Sequence, residues 1–252
     1  MIDTHAHLDM EYYDNIEEVI KKMGQNIIIV SGIDTNTNKH VLDLVKKYKN
    51  VYGTIGIHPE SVMDVKNEDF LFLEEHIMDE KIVGLGEIGL DYHYENDYER
   101  QREVFKRQIL LANKYNKTMV IHSRDAIEDT YNLLKQYKKD SVKVDIHCYS
   151  SSFEMAKRFI PLNAMFGIGG VVTFKNGKVL KEVVEKIPLE YLLLETDSPF
   201  LSPEPLRGTK NEPYNILYVA QKIAEIKEIS LENVLKQTTL NAICQFDLNI
   251  KL

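Results

Sequence analysis

Histidines and acidic residues recur in this chain where short apolar runs end: His5 and His7, then Glu87, His122, His147 and Asp197. Imidazole nitrogens and carboxylate oxygens are ligands of divalent cations, and folding alone gives no reason to set them repeatedly at strand ends. The pattern reads as a metal site with two ions. The opening block, Met1-Ile2-Asp3-Thr4-His5-Ala6-His7-Leu8-Asp9, sets the geometry. Side chains alternate along a strand, so His5 and His7 share a face and can grip one ion from the same side. By itself such a pair is a short motif that a surface segment near a terminus also produces; the other strand ends give it weight.

Glu87 stands in Val83-Gly84-Leu85-Gly86-Glu87-Ile88-Gly89, where the glycines leave room around the carboxylate for an approaching ion or ligand. A tight turn carrying a solvated Glu is the plain alternative. His122 ends the apolar run Met119-Val120-Ile121 and is followed by Ser123-Arg124-Asp125, which is expected to start a helix. A lone histidine there is more often a hydrogen-bonded core residue, but Arg124 at a helix N-terminus would favour an anion beside it. His147 repeats the arrangement after Asp145-Ile146. Asp197, before Ser198-Pro199, is expected to bind one ion and take a proton from water whose pKa the ion lowers. Glu195 is its competitor, sharing a face with it only if the strand continues past Thr196. His58, in Gly56-Ile57-His58-Pro59, also follows a strand and is a candidate for touching substrate; His40, His76 and His93 read as surface residues.

These residues need a scaffold that brings strand ends together. The expected strands are Ile2–His7, Asn26–Ser31, Val51–Ile57, Ile82–Glu87, Thr118–His122, Val144–His147, Ala164–Ile168 and Tyr191–Glu195. Helical patterns fall between them at Asn15–Met23, Thr37–Lys47, Asp69–Met78, Asp97–Asn116, Arg124–Tyr137, Ser152–Phe159 and Gly177–Ile187. Tyr214–Ile226 and Leu231–Cys244 follow as outer helices. This alternation implies a parallel α/β protein. A doubly wound sheet alternates in the same way, but it would spread ligands from the first, fourth, fifth, sixth and eighth strands along a wide edge. A (β/α)8 TIM barrel gathers them around one axis, at the end where such barrels keep their active sites.

The 252 residues match the roughly 250 typical of such a barrel. With no linker, low-complexity segment or short repeat, residues 1–252 read as a single domain. The chain begins directly with a strand and has no apolar run near the roughly 18 residues of a membrane span, so a cytoplasmic protein without membrane contact is expected. Two cysteines, Cys148 and Cys244, are too few for a disulfide framework. A net charge of −8 argues against holding nucleic acid by broad electrostatics. For a polyanionic substrate, metal ions and a few local cations must do the attracting.

Jointly the motifs resemble the TatD family of metal-dependent hydrolases, a branch of the amidohydrolase-like barrels. The resemblance runs through DTHAHLD at 3–9, GIHPE at 56–60, GEIGLDY at 86–92, IHSRDA at 121–126, HCYS at 147–150, ETDSPFLSP at 195–203 and RGTKNEP at 207–213. It implies an eight-stranded α/β barrel, two divalent ions and nuclease activity on DNA. Carried over residue by residue, it implies that His5, His7 and Asp197 bind one ion, that His122 and His147 bind the other, and that Glu87 bridges them. Two departures stand out: Ser151 where family members often have glycine, and Thr209-Lys210 where two basic residues are common, which removes one cation from the rim.

The expectation is therefore a deoxyribonuclease that trims DNA ends, with Asp197 and Glu87 at the chemistry and Arg124, His58 and Lys210 on phosphate oxygens. The two ions are expected to be Mg, Mn or Zn, the imidazoles leaning toward the softer metals. No obligate protein partner is evident. The rival within the same scaffold is an amidohydrolase or deacylase cleaving an amide or ester. Relatives of that kind often bridge their ions with a carboxylated lysine on the fourth strand; here Lys81 begins that strand and Glu87 ends it. A non-catalytic metal-binding scaffold is the rival from another class, and it leaves Asp197 and Arg124 without a purpose.

Overall fold

The computed structural model describes residues 1–93 and 97–250; residues 251 and 252 of the expected domain lie outside the described residues. The strands are β1 (Ile2–Ala6), β2 (Ile27–Ser31), β3 (Val51–Ile55), β4 (Ile82–Asp91), β5 (Thr118–Arg124), β6 (Val144–Ile146), β7 (Ala164–Ile168) and β8 (Leu192–Leu194). The helices are α1 (Ile16–Met23), α2 (Thr35–Lys47), α3 (Asn67–His76), α4 (Tyr98–Tyr115), α5 (Ile127–Tyr137), α6 (Phe153–Phe159), α7 (Lys178–Lys186), α8 (Ile216–Lys227) and α9 (Leu231–Phe246). The strands form one eight-stranded sheet in chain order, β1 to β8. A doubly wound sheet reverses its order at a switch point. This order never reverses, and it is that of the (β/α)8 barrel.

By its internal contacts the chain divides into two compact units, residues 1–30, 148–160 and 165–252 in one and residues 31–147 and 161–164 in the other. In the first unit, α1 buries Ile16, Val19, Ile20 and Met23, the i, i+3, i+4, i+7 stripe of an amphipathic helix, and Asn15 caps it by accepting the Glu18 N–H. Ser152 and Ser230 cap α6 and α9 in the same way. Helix α9 packs on β8 and β1, where the buried Asn241 amide donates to the Leu189 and Leu192 carbonyls.

In the second unit, β4 pairs in parallel with β3 and β5, and every residue of β4 is buried, as in a parallel strand covered on both faces. Two buried glutamines of α4 hold strand ends. Gln108 bonds the N–H and carbonyl of Ile57, and Gln101 those of Asp91.

Two boundaries differ from expectation in a way that matters for the site. Strand β4 does not end at Glu87 but continues to Asp91, because β5 also continues, with Gly89 opposite His122 and Asp91 opposite Arg124. Arg124 is thus the last residue of β5 and exposed, not the start of a helix; α5 begins at Ile127, after Asp125 adopts a left-handed conformation (φ 53°). Between Leu85 and Ile88 the register with β5 slips by one, so Glu87 sits in an irregularity of the kind that re-aims a side chain. Just beyond it, Gly89 has φ 144°, and a Cβ there would lie 1.9 Å from the His122 carbonyl oxygen. Only glycine lets β4 pass His122 so closely.

Candidate metal centre

In the first unit, His5 lies in β1 and His7 just after it, with their Nε2 atoms 3.1 Å apart. Asp197, three residues past the end of β8, places Oδ1 4.0 Å from His5 Nε2 and 3.7 Å from His7 Nε2. Backbone bonds fix this arrangement: the Asp197 N–H donates to the His5 carbonyl (3.0 Å) and the His7 N–H to the Ser198 carbonyl (2.7 Å). Asp3, fully buried, reinforces it. Its carboxylate accepts the His5 N–H (3.3 Å), the Thr196 N–H (2.9 Å) and the Thr196 hydroxyl (2.6 Å). Burial raises the Asp3 pKa well above the ordinary value, against the pull of the Thr196 hydrogen bond.

In the second unit, four groups face Glu87, which is 3% exposed, or the histidine beside it. Glu87 Oε1 is 2.8 Å from His122 Nδ1, 3.5 Å from His58 Nε2 and 3.7 Å from His147 Nε2. The other face of the His122 ring is not solvent: its Nε2 lies 2.9 Å from Asp91 Oδ2. Burial opposes charge on His122, but the Asp91 and Glu87 carboxylates outweigh it and push the imidazole up to about 10. Burial likewise resists ionisation of Asp91, but the hydrogen bonds from His122 and the His93 N–H, with the nearby His122 and Arg124 charges, together override it, leaving Asp91 below the usual range. His58 goes the other way, its burial lowering its pKa despite Glu87.

Both clusters suit a divalent ion by donor chemistry. Ligand atoms about 2.0–2.2 Å from one cation stand roughly 3–4 Å apart, and the separations in the first cluster are 3.1, 3.7 and 4.0 Å. In the second, Asp91 on Nε2 leaves Nδ1 of His122 as the nitrogen turned toward Glu87. An outer carboxylate on a ligating histidine is the usual way to set its orientation and tautomer.

The unit-by-unit geometry brings His5, His7 and Asp197 together in one cluster, and His58, Glu87, His122 and His147 in the other. Glu195 is fully buried, and its Oε1 accepts the Cys148 N–H at 2.7 Å. His58, expected to meet substrate, is 8% exposed, and its Nδ1 caps the turn that follows by accepting the Glu60 N–H. Lys210 is exposed, donates to the Tyr12 carbonyl and lies 5.4 Å from the Tyr13 ring centre. His76 pairs with Asp79 and His93 with Asp125, and the His93 N–H donates to Asp91 Oδ1 at 2.9 Å. Asp91 and Asp3 escaped the sequence reading, although a signal existed. Asp3 is two residues before His5, and Asp91 four after Glu87, the even spacing of one strand face.

The model of the TatD-related DNase family matches residues 2–247. A metal-dependent hydrolase of Bacillus subtilis (strain 168), YabD, described as uncharacterized, is 42% identical over 254 residues, covering 99% of this chain and all of that protein. Another so described, MJ1582 of Methanocaldococcus jannaschii, is 37% identical, covering 97% of this chain and 96% of its own. Among solved structures, YJJV, a TatD homolog from Escherichia coli K12, superposes with a TM-score of 0.90 at 27% identity, covering 98% of each chain.

Proposed function

Because this chain belongs to the TatD family and is a metal-dependent hydrolase, we propose that residues 1–252 work as one deoxyribonuclease domain that uses two divalent ions to hydrolyse phosphodiester bonds at DNA ends. In this reading His5, His7 and Asp197 would hold one ion and His122 and His147 the other, with Glu87 as a further carboxylate ligand. When bound, such ions supply Lewis acidity to water and to the phosphate, and Mg, Mn and Zn are the candidates. The protein's own groups do the rest. Asp197, partly open to solvent, accepts the proton from the attacking water. Asp91 keeps His122 oriented. Asp3 keeps His5 and the Thr196 backbone in register. Arg124, exposed at the end of β5, offers a cation for phosphate oxygens, and Lys210 is a second one at the loop that carries Tyr12.

The observation that carries the choice of phosphodiester over amide chemistry is the fate of Lys81. The carboxylated-lysine bridge found in many amidohydrolases would require a lysine facing the ions, and Lys81 instead donates its ammonium to the Val45 and Tyr48 carbonyls. Glu87 would supply a carboxylate ligand from that strand instead.

The test is a parallel assay of end-labelled single-stranded DNA with ester and amide substrates, with Mg, Mn or Zn and with chelator. Metal-dependent shortening of the DNA from an end, abolished by chelator, is expected. Cleavage of the amide or ester with the DNA left intact would overturn the assignment. Metal analysis after reconstitution should give two ions per chain, and Mn-loaded protein should show a spin-coupled electron paramagnetic resonance signal; two uncoupled Mn signals would break the pairing.

A further inference from the structure

Phe200 is 45% exposed, three residues after Asp197, on a turn that nothing leaves loose. Its N–H donates to the Asp197 carbonyl at 2.8 Å. The Asn211 side-chain amide donates to both the Phe200 and the Thr196 carbonyls, at 2.8 and 2.9 Å, and the Asn211 N–H donates to the Pro199 carbonyl. These bonds fix the backbone that presents the ring to solvent. The ring centre lies 6.2 Å from that of His7 and 5.3 Å from that of Tyr12, both in edge-to-face arrangement. Tyr12 is itself half-buried and anchored, its carbonyl accepting the Lys210 ammonium. The neighbouring Tyr13 hydroxyl donates to the Asn211 carbonyl at 2.6 Å, joining the segment after β1 to the segment after β8. The Phe200 ring therefore stands beside His7 of the His5–His7–Asp197 cluster, with the Tyr12 ring against it.

We propose that Phe200, backed edge-on by Tyr12, is the stacking platform for the nucleobase next to the scissile phosphate; the proposal rests on the phosphodiesterase reading above. An aromatic face accepts any base, since every base has a π-face. In a chain of net charge −8 it supplies affinity that does not depend on phosphate neutralisation. The platform is placed for the base of the same nucleotide whose phosphate the histidine pair engages, which makes it a subsite for a single terminal or near-terminal residue. It predicts tolerance of base identity and intolerance of base loss.

The test compares a short single-stranded oligodeoxynucleotide with copies carrying one abasic residue on either side of the scissile phosphate. Stacking of one base is worth roughly a 5- to 150-fold change in binding. The wild-type protein should prefer the intact substrate over one abasic copy by about 10-fold in kcat/KM, expressed in KM. In Phe200→Ala that ratio should fall to about one, in Phe200→Leu it should fall partway, and in Phe200→Tyr it should persist. A ratio that survives Phe200→Ala or stays whole in Phe200→Leu overturns the platform while the nuclease assignment stands, as does a wild-type ratio of one. If Phe200→Ala does not fold, the Leu and Tyr variants still decide. A wild-type protein that cleaves none of these substrates removes the nuclease assignment and the platform together.

Discussion

Replacing Asp91 by Asn tests whether the carboxylate behind His122 sets the state of the centre. Asp91 Oδ2 is 2.9 Å from His122 Nε2 in a buried setting, and a hydrogen bond to a charged partner is worth about 1.5–3 kcal/mol. His122 ordinarily titrates at 6.5 and is raised to about 10, which corresponds to something on the order of 5 kcal/mol shared between Asp91 and Glu87. Asp91 alone then accounts for about one to two pH units of the rise. The sign follows from linkage: a histidine whose folded pKa is raised adds stability that is full below 6.5 and is lost as pH climbs through about 10. Metal-free Asp91→Asn should therefore be less stable than wild type by about 1.5–3 kcal/mol at pH 7, and the gap should shrink toward pH 10. Urea unfolding in chelator at the two pH values, followed by circular dichroism, measures the gap. A proton NMR titration of the His122 ring measures its pKa directly. The reloaded variant should also bind metal about 10- to 100-fold more weakly. A stability gap equal at pH 7 and pH 10, or a wild-type His122 titrating near 6.5, would refute the reasoning.

Further outcomes follow from the same geometry. His122→Ala should lower reconstituted metal from two ions to about one per chain while circular dichroism in chelator stays folded; cooperative unfolding in chelator would make His122 a core residue instead. Asp197→Asn keeps size and one acceptor oxygen but loses basicity, so turnover on an oligonucleotide should drop at least roughly 100-fold at saturating metal. Wild-type turnover there would move the proton to another group. Gly167→Ala would set a Cβ 2.1 Å from Glu195 Oε2, forcing Glu195 off the Cys148 N–H, and should cost about 1–3 kcal/mol in thermal or urea unfolding; an unchanged midpoint would mean that Glu195 has room to move.

Much of the molecule is legible from local order. Runs such as Ile27-Ile28-Ile29-Val30 can satisfy their apolar faces only as buried strands, and the caps at Asn15, Ser152 and Ser230 mark helix starts within one residue. The HxH alternation places His5 and His7 on one face because strand periodicity is a property of the backbone itself. What local order does not carry is register. Strand β4 outruns its expected end because β5 pairs with it as far as Arg124, and Arg124 leaves the expected helix for the same reason. Asp91 becomes the partner of His122 across 31 residues, and Asp3 the latch on Thr196 across 193. Lys81 turns to the Val45 and Tyr48 carbonyls, and Glu195 to the Cys148 N–H. Each of these depends on which groups are left without water once distant strands pack, and a buried donor or acceptor takes the partner that packing supplies. Residue types and spacing pointed to the chemistry; tertiary burial chose which carboxylates hold histidines and which hold backbone.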